Sequence, residues 1–160
     1  MDEPGTEFQV AADDYRIITE DAVLCAQLHS SLVVCLYDAV EEHGALLHLR
    51  LAAPGHSRDP NLTDNTLASD LALLDRALRL LAVASPRSQH WQAKLVAHTE
   101  DQASARVRCE GLQAFIGAFL QDAGIKVVSS MAHAEAAVSV CFRPAMGQVR
   151  TQTSGSSAEG

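Results

Sequence analysis

The stretch AQLHSSLVVCLYDAVEEHGALLHLRL, residues 26–51, holds two apolar runs separated by a charged connection, and its reading decides the fold. LVVCLYD (32–38) is rich in β-branched and apolar residues. ALLHLRL (45–51) alternates Leu47, Leu49 and Leu51 against Leu46, His48 and Arg50. The segment between them, AVEEHG, is charged and ends in Gly44, so the pair reads as two strands joined by a tight connection. A two-residue period then sends His48 and Arg50 to the face opposite the three leucines. The hydroxyl pair Ser30 and Ser31 stands immediately before the first strand.

Outward from this hairpin, EFQV (7–10), YRIIT (15–19) and AVLCAQL (22–28) read as short strands. Residues 52–62 shift to Pro, Gly, Ser, Asp and Asn and mark an exposed loop. Leu67, Leu71, Leu74, Leu78 and Leu81 then repeat at helical spacing. Thr63 or Asp64 is placed to cap that helix, Ser85-Pro86 to end it, and Asp75 and Arg79 to pair on its solvent side. WQAKLVAH (91–98) is a further strand. A second amphipathic helix covers roughly 104–123, with Gly124 where a left-handed terminal residue is needed. IKVVSS, AVSVCF and a turn in RPAMGQV lead through further strands. Two long helices and many short strands, with no internal repeat, imply an α/β (α+β) sandwich of mixed, largely antiparallel sheets. The expected organisation is a flexible segment over 1–14, one domain over 15–151 and a disordered tail over 152–160.

The 160-residue chain is 48% hydrophobic and carries a formal charge of −8 with no cluster of Lys or Arg, which argues against nucleic acid as a partner. No run of apolar residues is long enough for membrane insertion, and the acidic start lacks the apolar core of a leader, so a cytoplasmic protein is expected. Cys25, Cys35, Cys109 and Cys141 form no C-x-x-C pair, so neither a metal site nor a cofactor is expected. Cys35, Cys109 and Cys141 read as small buried hydrophobes.

LHSSLVVCLYD running into GALLHLRL, followed by a Leu-rich helix, a strand at AKLVAH, a helix ending in AGI and a late FRPAMGQV, resembles the bacterial chemotaxis family CheD over most of residues 15–150. The resemblance implies a sandwich related to the catalytic domain of cytotoxic necrotizing factors. It also implies hydrolysis of glutamine side chains on methyl-accepting chemoreceptors, with a CheC-like phosphatase as a second candidate partner. In that chemistry a thiolate attacks the carboxamide carbon, a histidine activates it and protonates the departing ammonia, and a hydroxyl residue orients the histidine.

Position by position, Ser31 stands where the family has its nucleophilic cysteine, His48 at the family histidine, and Cys25 at the orienting position, usually threonine. His29 replaces a glycine beside the nucleophile and, with Ser30, is a candidate binding residue; Ala45 and Leu47 replace a glycine and an asparagine, and AHTED stands where a glycine pair is expected. A designed Cys-to-Ser change would account for Ser31 alone, so divergence is the simpler origin. An alcohol must lose its proton during attack and needs a well-aligned base, so the resemblance implies a worn deamidase site. Three readings stay open: a receptor-binding pseudoenzyme, an active amidohydrolase using Ser31 and His48, and an assembly protein that kept only the sandwich. Outside the resemblance, Ser30-Ser31 reads as a turn pair, His48 as a strand histidine half-facing solvent, His43 as solvated, His98 as a strand-end residue that the fold could bring near His48 though spacing does not show it, and Trp91 as a core or edge anchor.

Overall fold

The computed structural model describes residues 6–50, 65–84, 90–100, 102–134 and 138–153, with the helical backbone alone over 65–71. In chain order the elements are β1 (Glu7–Gln9), β2 (Asp14–Ile18), β3 (Val23–Leu28), β4 (Ser31–Asp38), β5 (His43–Arg50), α1 (Asn65–Ala84), β6 (Gln92–His98), α2 (Ala103–Asp122), β7 (Lys126–His133), β8 (Val138–Arg143) and β9 (Gln148–Thr153). They build two sheets, β1-β3-β8-β9 and β2-β5-β4-β6-β7. The β1/β3 and β6/β7 pairs are parallel and the others antiparallel, as the mixed, largely antiparallel sandwich requires.

Burial follows from the alternation along β4. Leu32, Val34 and Leu36 join Leu47, Leu49, Leu95, Leu74, Leu81, Ile116 and Leu120 in a core between the five-stranded sheet and the helices. Val33, Cys35 and Tyr37 join Leu46, Val96, Leu24, Leu28, Val140 and Phe142 in a second core between the two sheets. The five-stranded sheet is therefore the middle layer, covered on both faces, and all eight residues of β4 are buried. That double cover corrects the half-solvated reading of His48, which is only 3% exposed because its face meets the other sheet.

The helices follow the apolar stripes. Leu74 and Leu81 are buried and Leu78 packs beside them, while Arg79 Nε donates to Asp75 Oδ2 at 2.8 Å on the outside. The expected cap at Thr63 or Asp64, Leu67 and Leu71, the loop over 52–62 and Ser85-Pro86 lie outside the described residues or side chains. Gly124 is left-handed at φ 84°, as its place after α2 requires. Trp91 packs against the helix-side core. Part of the segment expected to be flexible over 1–14 is structured: Glu7–Gln9 pairs with β3 and Val10 is buried, while residues 1–5 lie outside the described residues. At the other end β9 extends into the expected tail, through Thr153.

The Leu-Tyr-Asp and Phe-Arg-Pro-x-x-Gly motifs meet at one corner. The Tyr37 and Phe142 rings pack edge to face at 5.9 Å. Gly147 takes φ 59° against the Tyr37 ring, and Gly44 lies so close to Pro144 and to Leu36 O that a Cβ there would stand 2.5 Å from that oxygen. Asp38 Oδ1 accepts the N–H of Val40 at 2.9 Å and closes the hairpin. This corner lies at the Asp38 end of β4, at the opposite end of the strand from Ser31, and these motifs hold the two sheets together there.

A Gly44→Ala change should cost about 1–3 kcal/mol, because the clash is with backbone and a proline ring that cannot swing aside. Gly111→Ala, at a site with nothing within 4 Å, should stabilise the exposed helix by up to ~1 kcal/mol. Chemical denaturation of the two variants checks the opposite signs.

Candidate active site

The middle sheet brings three polar side chains to one end of the face it shares with the other sheet. Ser31 opens β4 on the same side as Val33 and Cys35, and its register partners are Arg50 on β5 and His98 on β6. His48 lies two residues before Arg50, on the same face as Leu46. Alternation therefore points Ser31, His48 and His98 into the inter-sheet space, all nearly buried at 2%, 3% and 3% exposure.

His48 Nδ1 lies 3.0 Å from the carbonyl oxygen of Val10, and His48 Nε2 lies 2.9 Å from Ser31 Oγ. A carbonyl can only accept, so Nδ1 carries the proton and Nε2 presents its lone pair to the hydroxyl. Ser31 O–H thus donates to Nε2, the arrangement a general base needs before it takes a proton from a nucleophile. Burial holds the His48 imidazole below the usual histidine range. The Val10 carbonyl and the Asp13 carboxylate act against that shift, and the Arg50 guanidinium adds to it. His48 is accordingly neutral, a base ready to accept, near neutral pH.

Cys25 does not fill the orienting role expected of it. Leu24, Ala26 and Leu28 of β3 face the inter-sheet core, so Cys25 points to the opposite side of its sheet, where its thiol lies 2.8 Å from Glu7 Oε2 and 2.8 Å from Cys141 Sγ. The group that fixes the His48 tautomer is the Val10 carbonyl. β3 contributes indirectly, since the carbonyl of Cys25 accepts the Val10 N–H at 2.8 Å and so aims the next peptide.

The turn before the nucleophile is built from its own amides. His29 N–H donates to Ser31 Oγ at 3.1 Å, and Ser30 N–H donates to His98 Nδ1 at 2.9 Å. Ser30 takes the left-handed φ of 51°, so the strained position is Ser30, not His29 where the missing glycine suggested it. The His29 side chain is exposed, its ring stacked on His98 with centroids 5.6 Å apart. Ser30 Oγ is buried without a hydrogen-bond partner. His98, a strand-end residue by sequence, is thus part of this site.

The remaining thiols divide. Cys35 and Cys109 are buried, as expected, and burial pushes both upward, Cys109 to about 11, which favours the thiol over the thiolate at both. Cys141 is partly exposed, which corrects its reading as a buried hydrophobe. Among the described residues no helix is long and apolar enough to cross a membrane.

No family model matches the chain. A curated protein described as "Probable chemoreceptor glutamine deamidase CheD", from Rhizobium rhizogenes, is 28% identical to it over 138 residues, which is 86% of this chain and 74% of that protein.

Because the folded histidine resists protonation, the unfolded chain binds the proton first as pH drops. The stabilisation from neutral His48 is complete above ~6.5 and is lost as pH falls toward the lower folded value. Thermal unfolding across this range should show a steeper acid loss for the wild type than for His48→Gln, and parallel curves would contradict it. Long-range nitrogen correlation spectra should find the His48 proton on Nδ1.

Proposed function

We propose that this chain is a CheD-like chemotaxis protein whose glutamine-deamidase site is assembled but closed, so that it engages chemoreceptors with little turnover. The observation that carries this reading is the state of the turn at Ser31. Ser31 is 2% exposed, the neighbouring Ser30 amide is bound to His98, and the His29 amide is bound to the Ser31 hydroxyl itself. Amide hydrolysis needs donors aimed at the developing oxyanion, and these two are already engaged. Oxygen in place of sulfur slows attack further, because the alcohol has no thiolate fraction to draw on. The relative from Rhizobium rhizogenes supports the pathway, as a chemoreceptor glutamine deamidase by its description. The working partner is the cytoplasmic, glutamine-bearing region of a methyl-accepting chemoreceptor, with a CheC-like phosphatase as a second.

A catalytic reading rests on one distance, the 2.9 Å between Ser31 Oγ and His48 Nε2. With Nδ1 fixed by Val10, attack on a carboxamide would pass the hydroxyl proton to Nε2, form an ester on Ser31 and return the proton to departing ammonia. Water would then hydrolyse the ester to release glutamate.

Incubation with a chemoreceptor cytoplasmic fragment, followed by mass spectrometry for the +1 Da conversion of glutamine to glutamate, separates the readings. Wild type should bind the fragment and convert little. Ser31→Cys should raise conversion by at least ~100-fold, and adding His48→Ala should remove that gain. Cys25→Thr should add nothing to Ser31→Cys, since residue 25 faces away from His48. Wild-type conversion matching that of Ser31→Cys would replace this proposal with the catalytic reading.

A further inference from the structure

The four-stranded sheet has a second polar cluster, on the face turned away from Ser31 and His48. Phe8 of β1, Leu24, Ala26 and Leu28 of β3, Val138, Val140 and Phe142 of β8 and Val149 of β9 all face the inter-sheet core. Alternation therefore sends Glu7, Cys25 and Cys141 outward together. Cys25 and Cys141 are direct cross-strand partners in the β3/β8 ladder, and Glu7 reaches Cys25 from the parallel β1 edge. Glu7 Oε2 and Cys141 Sγ each lie 2.8 Å from Cys25 Sγ, and the three ligand atoms fall within 4.8 Å of one another.

We propose that Cys25, Cys141 and Glu7 form a binding site for a soft divalent cation of the zinc class, with its fourth position open to solvent. Two thiolates and a carboxylate form a donor set that zinc favours over magnesium or calcium, which prefer oxygen alone. The donors come from three different strands and converge on one point. Ionised, they repel one another; the site must hold either protons or a cation. The thiols must give up their protons to bind, so the cation competes with protons and binding strengthens as pH rises.

The balance is simple. One divalent ion enters, two thiol protons leave to solvent, the carboxylate contributes its existing charge, and no electron moves. Tetrahedral ligation at ~2.3 Å per sulfur spreads the two sulfurs to ~3.8 Å, about 1 Å more than they are now, within reach of small side-chain rotations. The site carries one net negative charge when loaded. Arg150 is the register partner of Cys141 on β9, while Arg143 donates to the Asp21 carboxylate at 2.6 Å. Cys141 is partly exposed and Glu7 exposed, so an ion has an entry path. A disulfide between the same cysteines would use two of the three donors and leave the carboxylate against sulfur.

Cobalt(II) titration of the full, reduced chain tests this proposal. Expected are one equivalent bound, a thiolate-to-cobalt charge-transfer band with intense visible bands of a tetrahedral ion, and displacement of cobalt by zinc. Cys25→Ser and Cys141→Ser should each abolish the charge-transfer band. Glu7→Gln, which keeps both thiols and the shape of the side chain, should weaken binding by at least the ~10- to 100-fold that loss of an outer-shell partner costs. His48→Ala should bind cobalt like wild type, which separates this site from the one at Ser31. Absence of the band in the folded, reduced protein would overturn the proposal, as would its survival in Cys141→Ser. A reduced chain that takes no cobalt but closes a Cys25–Cys141 disulfide under mild oxidant would overturn it in favour of a redox pair.

Discussion

The site depends on one hydrogen bond, from His48 Nδ1 to the carbonyl of Val10. That bond fixes the tautomer, and the tautomer decides whether Nε2 offers Ser31 a lone pair or a proton. Burial between the sheets strengthens the arrangement by keeping the ring neutral. The carbonyl is itself held in place: Val10 N–H binds the carbonyl of Cys25, and Asp13 N–H binds the carbonyl of His48 at 2.7 Å. A backbone carbonyl thus holds the ring at the point where the family pattern would have a side-chain hydroxyl do so.

The fold was legible because period and length agree along most of the chain. Leucine spacing marked the first helix, a mixed Leu, Phe and Ile stripe marked the second, and alternation in 45–51 marked the strand that carries His48 and the face it uses. What alternation could not tell was what covers that face. A strand in a two-layer protein shows one face to water, whereas the middle layer of three shows neither, and the identity of the covering sheet depends on contacts distant in sequence. His48 therefore went from half-solvated to buried with no change in its predicted direction.

The site was legible in proportion to how much of it consists of side chains. Ser31 and His48 were found through the family pattern, and the geometry places them in contact. Val10 acts through its backbone, which leaves no residue-type signature. His98 becomes a partner of Ser30 through the β4/β6 register, which spacing does not reveal. Cys25 was misplaced although a signal was present: Leu24, Ala26 and Leu28 alternate around it, and a strand with those three in the core must turn Cys25 outward. The same register brings Cys25 beside Cys141 from 116 positions away, a pairing that a search for closely spaced cysteines cannot find.

β1 is only three residues long and lies at the edge of its sheet, yet the chain leaving it supplies the carbonyl that His48 needs. Shortening the protein to the domain expected from sequence, from residue 15 onward, would remove that carbonyl and let the imidazole rotate or swap tautomers. An affinity tag fused directly before β1 would sit just a few residues from it. A change in where the chain starts is therefore a chemical change to its site, and calls for the same controls as a point mutation.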